Sequence, residues 1–244
     1  MTDISLPKFK TLYLDPPWIS VKGSGGKGCR GAKYDLMTTQ DIIDLPIQNI
    51  VHPDGCHIYV WVINNQVDDG FKCLEKWGFK YQTMITWHKT GNPGIGWYFR
   101  GTSESCLFGT SGKLPFKKIN GRIQQGVTSF VAPRLEHSVK PELMRWMIER
   151  VSYPPYCEIF ARRFVPNWTC VGNEINITIQ DFLAGVTATQ AAIPPTTHPS
   201  GFGFTPTKIK MPHGIPTDHD YMLEPSFFED NVEELSIINY ANET

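Results

Sequence analysis

Thr11-Leu12-Tyr13-Leu14-Asp15-Pro16-Pro17-Trp18 is the stretch on which the fold turns. A short run of core-forming residues goes straight into an acidic turn stiffened by two prolines. Such a run reads as a buried strand. The proline pair ends it, because each ring fixes its own φ and keeps the preceding residue out of helical space. Runs of the same type recur at His57 to Ile63, Tyr81 to Trp87, Ser105 to Phe108 and Tyr156 to Ala161. Helical patterns lie between them. Thr38 with Asp41 forms a capping box for a short helix through Ile42 and Ile43. Val67, Phe71 and Leu74 share one face of a second helix, which Gly78 can end in a left-handed cap. Pro141 suits the first turn of a third, along which Leu143, Met147 and Val151 recur at helical spacing. A β-α-β-α alternation predicts an α/β domain whose mostly parallel sheet carries helices on both faces. Ligands of such sheets gather at the carboxyl ends of strands, which is where Asp15 stands.

The chain has 244 residues, enough for one such domain with appendages. Its formal charge of −1 conceals an asymmetry: 21 Lys and Arg face 16 Asp and Glu before Leu183, whereas 2 face 8 from there on. A mildly basic body and an acidic tail are expected, with residues 1–182 forming the domain and 183–244 a Pro/Thr/Gly-containing linker and acidic tail. No apolar stretch reaches the roughly 20 residues of a membrane helix, and Met1-Thr2-Asp3-Ile4 has no signal-peptide pattern, so a cytoplasmic protein is expected. The six cysteines form no C-x-x-C pair and have no close histidine; they read as reduced, mostly buried thiols, and no metal site is expected.

Asp15-Pro16-Pro17-Trp18 has the residue types that activation of an exocyclic amine needs. The lone pair of adenine N6 is delocalised into the ring. A carboxylate (Asp15) and a backbone carbonyl (Pro16) accepting its two N–H bonds would draw the nitrogen towards tetrahedral geometry. Pro17 completes the rigid turn, and Trp18 offers a flat face to an extruded base. An ordinary strand-ending turn accounts for the tetrapeptide alone equally well.

The remaining blocks separate these readings. Tyr34-Asp35-Leu36-Met37-Thr38, His57 to Val62, Trp77-Gly78-Phe79, Arg100-Gly101-Thr102-Ser103-Glu104, His137-Ser138-Val139-Lys140-Pro141, Glu158-Ile159-Phe160-Ala161-Arg162 and Trp168 with Gly172-Asn173-Glu174 follow Asp15 to Trp18 in order. In that order they resemble the MT-A70 family of adenine-N6 methyltransferases. The resemblance implies a Rossmann-like methyltransferase fold and S-adenosyl-L-methionine as cofactor. It implies that Lys140 and Ser138 meet the carboxylate end of the cofactor, that Asn173 and Glu174 hold its ribose hydroxyls, and that Glu104 belongs with the substrate-binding residues. An ammonium suits a carboxylate, and amide and carboxylate side chains accept from adjacent hydroxyls.

Gly23-Ser24-Gly25-Gly26-Lys27-Gly28 spells a dinucleotide fingerprint but follows a Pro-Pro turn, where no helix opens, so it reads as a gate or surface loop. Lys113, Lys117, Lys118 and Arg122, grouped around Phe116, suit phosphate contacts, although a surface loop or dimer interface would carry the same residues. The expected function is methylation of adenine N6 in nucleic acid, DNA before RNA, by a chain that can act as a homodimer or heterodimer. A catalytically inactive nucleic-acid-binding subunit is the alternative.

Overall fold

The computed structural model describes residues 6–19, 36–94, 98–134, 139–175 and 177–183. The expected glycine-rich gate, Ser138 and the tail from residue 184 lie outside them. Among the described residues nine strands follow in chain order: β1 (Thr11–Leu14), β2 (Gly55–Val62), β3 (Lys80–Thr90), β4 (Ser103–Gly112), β5 (Lys118–Ile119), β6 (Arg122–Ile123), β7 (Ser129–Pro133), β8 (Tyr156–Ile159) and β9 (Trp168–Val171). The α-helices are α1 (Thr39–Ile43), α2 (Val67–Lys76), α3 (Glu142–Val151) and α4 (Ile179–Leu183), with 3-10 turns at Ile47–Ile50 and Asn173–Ile175.

Seven strands form one sheet in the order β7-β3-β4-β2-β1-β8-β9. β1 pairs in parallel with β2 and β8, β8 with β9 and β3 with β7, whereas β4 runs against both its neighbours. The exception has a simple cause: β3 and β4 are joined directly, with no crossover helix to bring the chain back for parallel pairing.

Side chains alternate between two cores, as the period of two in a strand requires. Leu12, Leu14, Ile58, Val60, Val62, Leu107, Cys157 and Ile159 face one layer with Ile42 of α1, Cys73 and Leu74 of α2, and Ile179 and Leu183 of α4. Tyr13, Tyr59, Trp61, Cys106, Trp87 and Trp168 face the other with Met144, Met147 and Ile148 of α3. Helices thus cover both faces. Leu183 is buried in the first core, so the folded body reaches at least that residue. The described cysteines are buried and unbridged.

Local sequence chemistry sets the helix ends. Thr38 and Asp41 cap α1 reciprocally. Gly78 ends α2 at φ +77, with its own N–H on Glu75 and that of Phe79 on Leu74, the two bonds of a Schellman cap. The buried face of α2 differs from expectation: it is Gly70, Cys73 and Leu74, while Phe71 turns outward onto Tyr81. A Cβ on Gly70 would lie 2.5 Å from Val62 and 2.7 Å from Leu107, so this glycine lets the helix settle on the sheet and centres the contact on itself. In α3, Pro141 precedes the helix as its N-cap with extended backbone, and the buried stripe is Met144, Met147 and Ile148, with Leu143 and Val151 at its margins.

At the amino edge of the sheet, His57 meets Phe108 edge-on and places Nδ1 2.8 Å from the Ser152 hydroxyl. Burial pushes its pKa from an ordinary 6.5 down to about 4. The unfolded chain therefore takes up this proton first, so the stabilisation is present above pH 6.5 and is lost as pH falls towards 4. The shift corresponds to at most about 3 kcal/mol. His57→Gln should flatten the loss of unfolding free energy across that window in denaturant titrations. Equal slopes for variant and wild type would assign the acid sensitivity to other groups.

Candidate active site

The carboxyl end of β1 delivers Asp15 to the centre of the sheet edge, between β2 and β8. Beyond it the chain is held firmly. The Pro16 carbonyl accepts from the Trp18 N–H at 2.9 Å, and the Pro17 carbonyl from the Met37 N–H at 3.0 Å. The Trp18 indole N–H donates to the Trp61 carbonyl at 2.9 Å, and the Gln66 side-chain amide donates to the Ile19 carbonyl at 2.9 Å. Trp18 is consequently a core residue, only 6 % exposed, and the expected open stacking face is not available in this conformation. In the sequence, an aromatic ring beside a turn looks the same whether it lies above or below the sheet edge.

Lys140, just ahead of α3, reaches this point. Its ammonium lies 2.7 Å from both carboxylate oxygens of Asp15, 3.6 Å from Glu104 Oε2 and 5.3 Å from the centre of the Trp61 ring. Glu104, at the start of β4, also accepts from Lys89 near the end of β3. The Lys89 ammonium stands 4.7 Å from the Trp87 ring. Side-chain exposures of 11 % for Lys140 and 12 % for Lys89 make this a shielded cluster of alternating charge. Burial alone would lower the pKa of Lys140, but Asp15 and Glu104 outweigh it and raise the value, so the lysine stays charged. Two acids and two bases balance, leaving local polarity without net charge.

Further along the same edge, β9 ends at Val171 and the chain turns through Gly172 into Asn173 and Glu174, both exposed. The Glu174 carboxylate lies 3.4 Å from Arg162 Nε. Gly172 is there for steric reasons: a Cβ would fall 2.1 Å from the Ala161 carbonyl oxygen, and backbone cannot move aside as a flexible side chain can. Behind the edge, Arg145 bridges Glu142 and Glu158 between the rings of Tyr13 and Trp168.

The structure therefore brings Asp15, Glu104 and Lys140 into contact and sets Asn173 and Glu174 two strands away, about 10 Å at ordinary strand spacing. It does not bring the predicted phosphate cluster to them. β4 runs from the site edge to the opposite one, where Gly112 pairs with Gly55 at the start of β2. Lys113 follows there, roughly 30 Å along the strand from Glu104. Lys117 is engaged in the fold: its ammonium donates to the Glu149 and Ser152 carbonyls at the end of α3. Burial lowers its pKa. Lys118 and Arg122 are exposed on the β5-β6 hairpin, whose Asn120-Gly121 turn, with both φ positive, is a signal the sequence reading passed over. It also passed over Lys89, Trp61 and Gln66. Lys89 lies two residues beyond the apolar run of Tyr81 to Trp87, where a lysine carries no local mark.

The geometry fits the group that a methyltransferase would bind. A buried ammonium at a strand edge, with hydroxyl-accepting side chains farther along it, matches a ligand bearing a carboxylate at one end and a ribose at the other. No group of three His, Cys, Asp or Glu stands together as metal ligands among the described residues. No helix among the described residues is long and apolar enough to cross a membrane.

Comparison with known proteins covers the region that carries these residues. The model of the MT-A70 family matches residues 9–174. The N(6)-adenosine-methyltransferase MT-A70-like protein of Arabidopsis thaliana is 29 % identical over 182 residues, covering 70 % of this chain and 24 % of the relative. The human N(6)-adenosine-methyltransferase catalytic subunit METTL3 is 28 % identical over 186 residues, covering 71 % of this chain and 30 % of the relative. The Arabidopsis N6-adenosine-methyltransferase non-catalytic subunit MTB is 29 % identical over 116 residues, 44 % of this chain and 15 % of its own length. The chain thus spans less than a third of each of these proteins.

Proposed function

The chain belongs to the MT-A70 family of S-adenosylmethionine-dependent methyltransferases, and from that premise we propose that it methylates the N6 amino group of adenine in nucleic acid. The contact between Asp15 and Lys140 at the carboxyl end of β1 carries this reading: it joins an amine acceptor to a cofactor-anchoring cation. S-adenosylmethionine, when bound, supplies the electrophilic methyl group. Asp15 accepts one amine N–H; its carboxylate has about four acceptor positions, so it can do so while keeping Lys140. The Pro16 carbonyl already accepts from Trp18, and its second lone pair is available for the other amine N–H. Lys140 anchors the cofactor's carboxylate, with Ser138 assigned beside it by the family pattern, and Asn173 and Glu174 take the ribose hydroxyls. Glu104 bounds the substrate side.

Tyr98 and Phe99, 96 % and 91 % exposed on the connection between β3 and β4, support contact with unpaired bases at this edge. Lys113, Lys118 and Arg122 are proposed only for phosphates remote from the reacting adenine. DNA is the substrate proposed first. RNA is the second reading, favoured by the relatives' names, which specify adenosine. A heteromeric partner is proposed from the likeness to a non-catalytic subunit. Nucleosides from DNA and RNA oligonucleotides incubated with the chain and cofactor should show N6-methyldeoxyadenosine by mass spectrometry. N6-methyladenosine alone would transfer the assignment to RNA, and neither product, with a candidate partner chain also supplied, would reject the activity.

A further inference from the structure

Lys89 and Glu104 stand at the ends of paired strands. Trp87 opposes Glu104 directly in the β3-β4 register, and Lys89, two residues on, projects from the same face. The backbone beneath Lys89 is fixed, its N–H donating to the Thr102 carbonyl at 2.8 Å. The ammonium is bonded to Glu104 and stands 4.7 Å from the centre of the Trp87 ring. Four charges thus alternate across the sheet edge from Lys89 through Glu104 and Lys140 to Asp15.

We propose that Lys89 is a positioning residue that, by engaging Glu104, leaves the Lys140 ammonium directed towards Asp15 and the carboxylate of the cofactor. The inference rests on the assignment of Lys140 to that carboxylate. The distances carry it. Lys140 is 2.7 Å from Asp15 but 3.6 Å from Glu104, which has Lys89 as its closer partner. Without Lys89, Glu104 would be a shielded carboxylate with Lys140 as its remaining cation in this cluster, and in so dry a setting it would draw the ammonium across. An incoming carboxylate would then compete with a stronger internal partner.

The test is calorimetry on the full chain with two probes, S-adenosylmethionine and its decarboxylated analogue, in which hydrogen replaces the carboxylate. Lys89→Met should weaken S-adenosylmethionine about five- to tenfold and leave the analogue unchanged. Lys89→Arg should restore the affinity, and Lys89→Met should have no effect in a Glu104→Gln background. Unchanged affinity for S-adenosylmethionine would overturn the proposal. So would an equal loss for both probes, which a purely structural role would give. If Lys89→Met lacks a melting transition, Lys89→Gln, which keeps a donor without the charge, takes its place in every comparison. Lys140→Met separates this from the underlying assignment. If it weakens both probes equally, the carboxylate role of Lys140 fails; if it is selective and Lys89→Met is not, only the role of Lys89 fails.

Discussion

Asp15→Asn should lower methyl transfer about a hundred- to thousandfold while cofactor affinity stays within a few-fold of wild type. The substitution keeps the shape of the side chain and changes what it offers. The amide keeps one acceptor oxygen, which the Lys140 ammonium takes, and turns its donors towards an amine that itself donates, so a contact required chiefly as the nitrogen becomes nucleophilic is lost. The effect therefore belongs in turnover. Lys140 loses the Asp15 carboxylate but keeps Glu104 at 3.6 Å, an acid it then shares with Lys89. Asp15→Ala removes the same acceptor and also opens a gap beside a shielded ammonium, so it should melt lower than Asp15→Asn. Single-turnover methylation of an adenine oligonucleotide, beside calorimetry with cofactor alone, separates chemistry from binding. Near-normal turnover by Asp15→Asn would move the amine acceptor elsewhere, with Glu104 the first candidate.

Lys140→Met should fail in the complementary manner. The methionine fills much of the volume of the lysine stem, but the ammonium that stands over the Trp61 ring and would meet a carboxylate is gone. A shielded charge-assisted bond contributes about 1.5–3 kcal/mol, which corresponds to a dissociation constant raised roughly ten- to hundredfold. Part of the turnover should return at saturating cofactor. The same variant should change how stability depends on pH. The pKa of Lys140 is raised above the ordinary 10.5 of lysine, so the stabilisation is complete below that value and is lost as pH rises through the folded-state pKa. Wild type without cofactor should therefore lose stability more steeply in the alkaline range than Lys140→Met, which instead leaves Asp15 and Glu104 without the cation between them at every pH. Unaltered cofactor affinity in Lys140→Met would refute its assignment.

Much of this protein was legible residue by residue, because the forces concerned are local. The apolar runs at β1, β2, β3, β4 and β8, the reciprocal cap at Thr38 and Asp41, and the Schellman cap at Gly78 all depend on neighbours within a few positions. Asp15 at the end of the first strand, and hence at a ligand-binding edge, followed from the same pattern. Tertiary structure decided the rest. β7 and β9 were missed because short strands owe their state to pairing with β3 and β8, not to their own sequence. Periodicity marks which residues face a core but does not say which core, so Trp18 could be assigned to a base and prove to lie beneath the edge. Strand direction is likewise silent in the sequence: β4 runs antiparallel, and that alone carries Lys113, Lys117, Lys118 and Arg122 away from the site while leaving Glu104 in it. The pairing of Lys140 with Asp15 across 125 residues, and of Lys89 with Glu104 beside it, exists only because the lateral order of the strands places their ends together. That order is a property of how the whole sheet buries its two faces, and no stretch of the chain contains it.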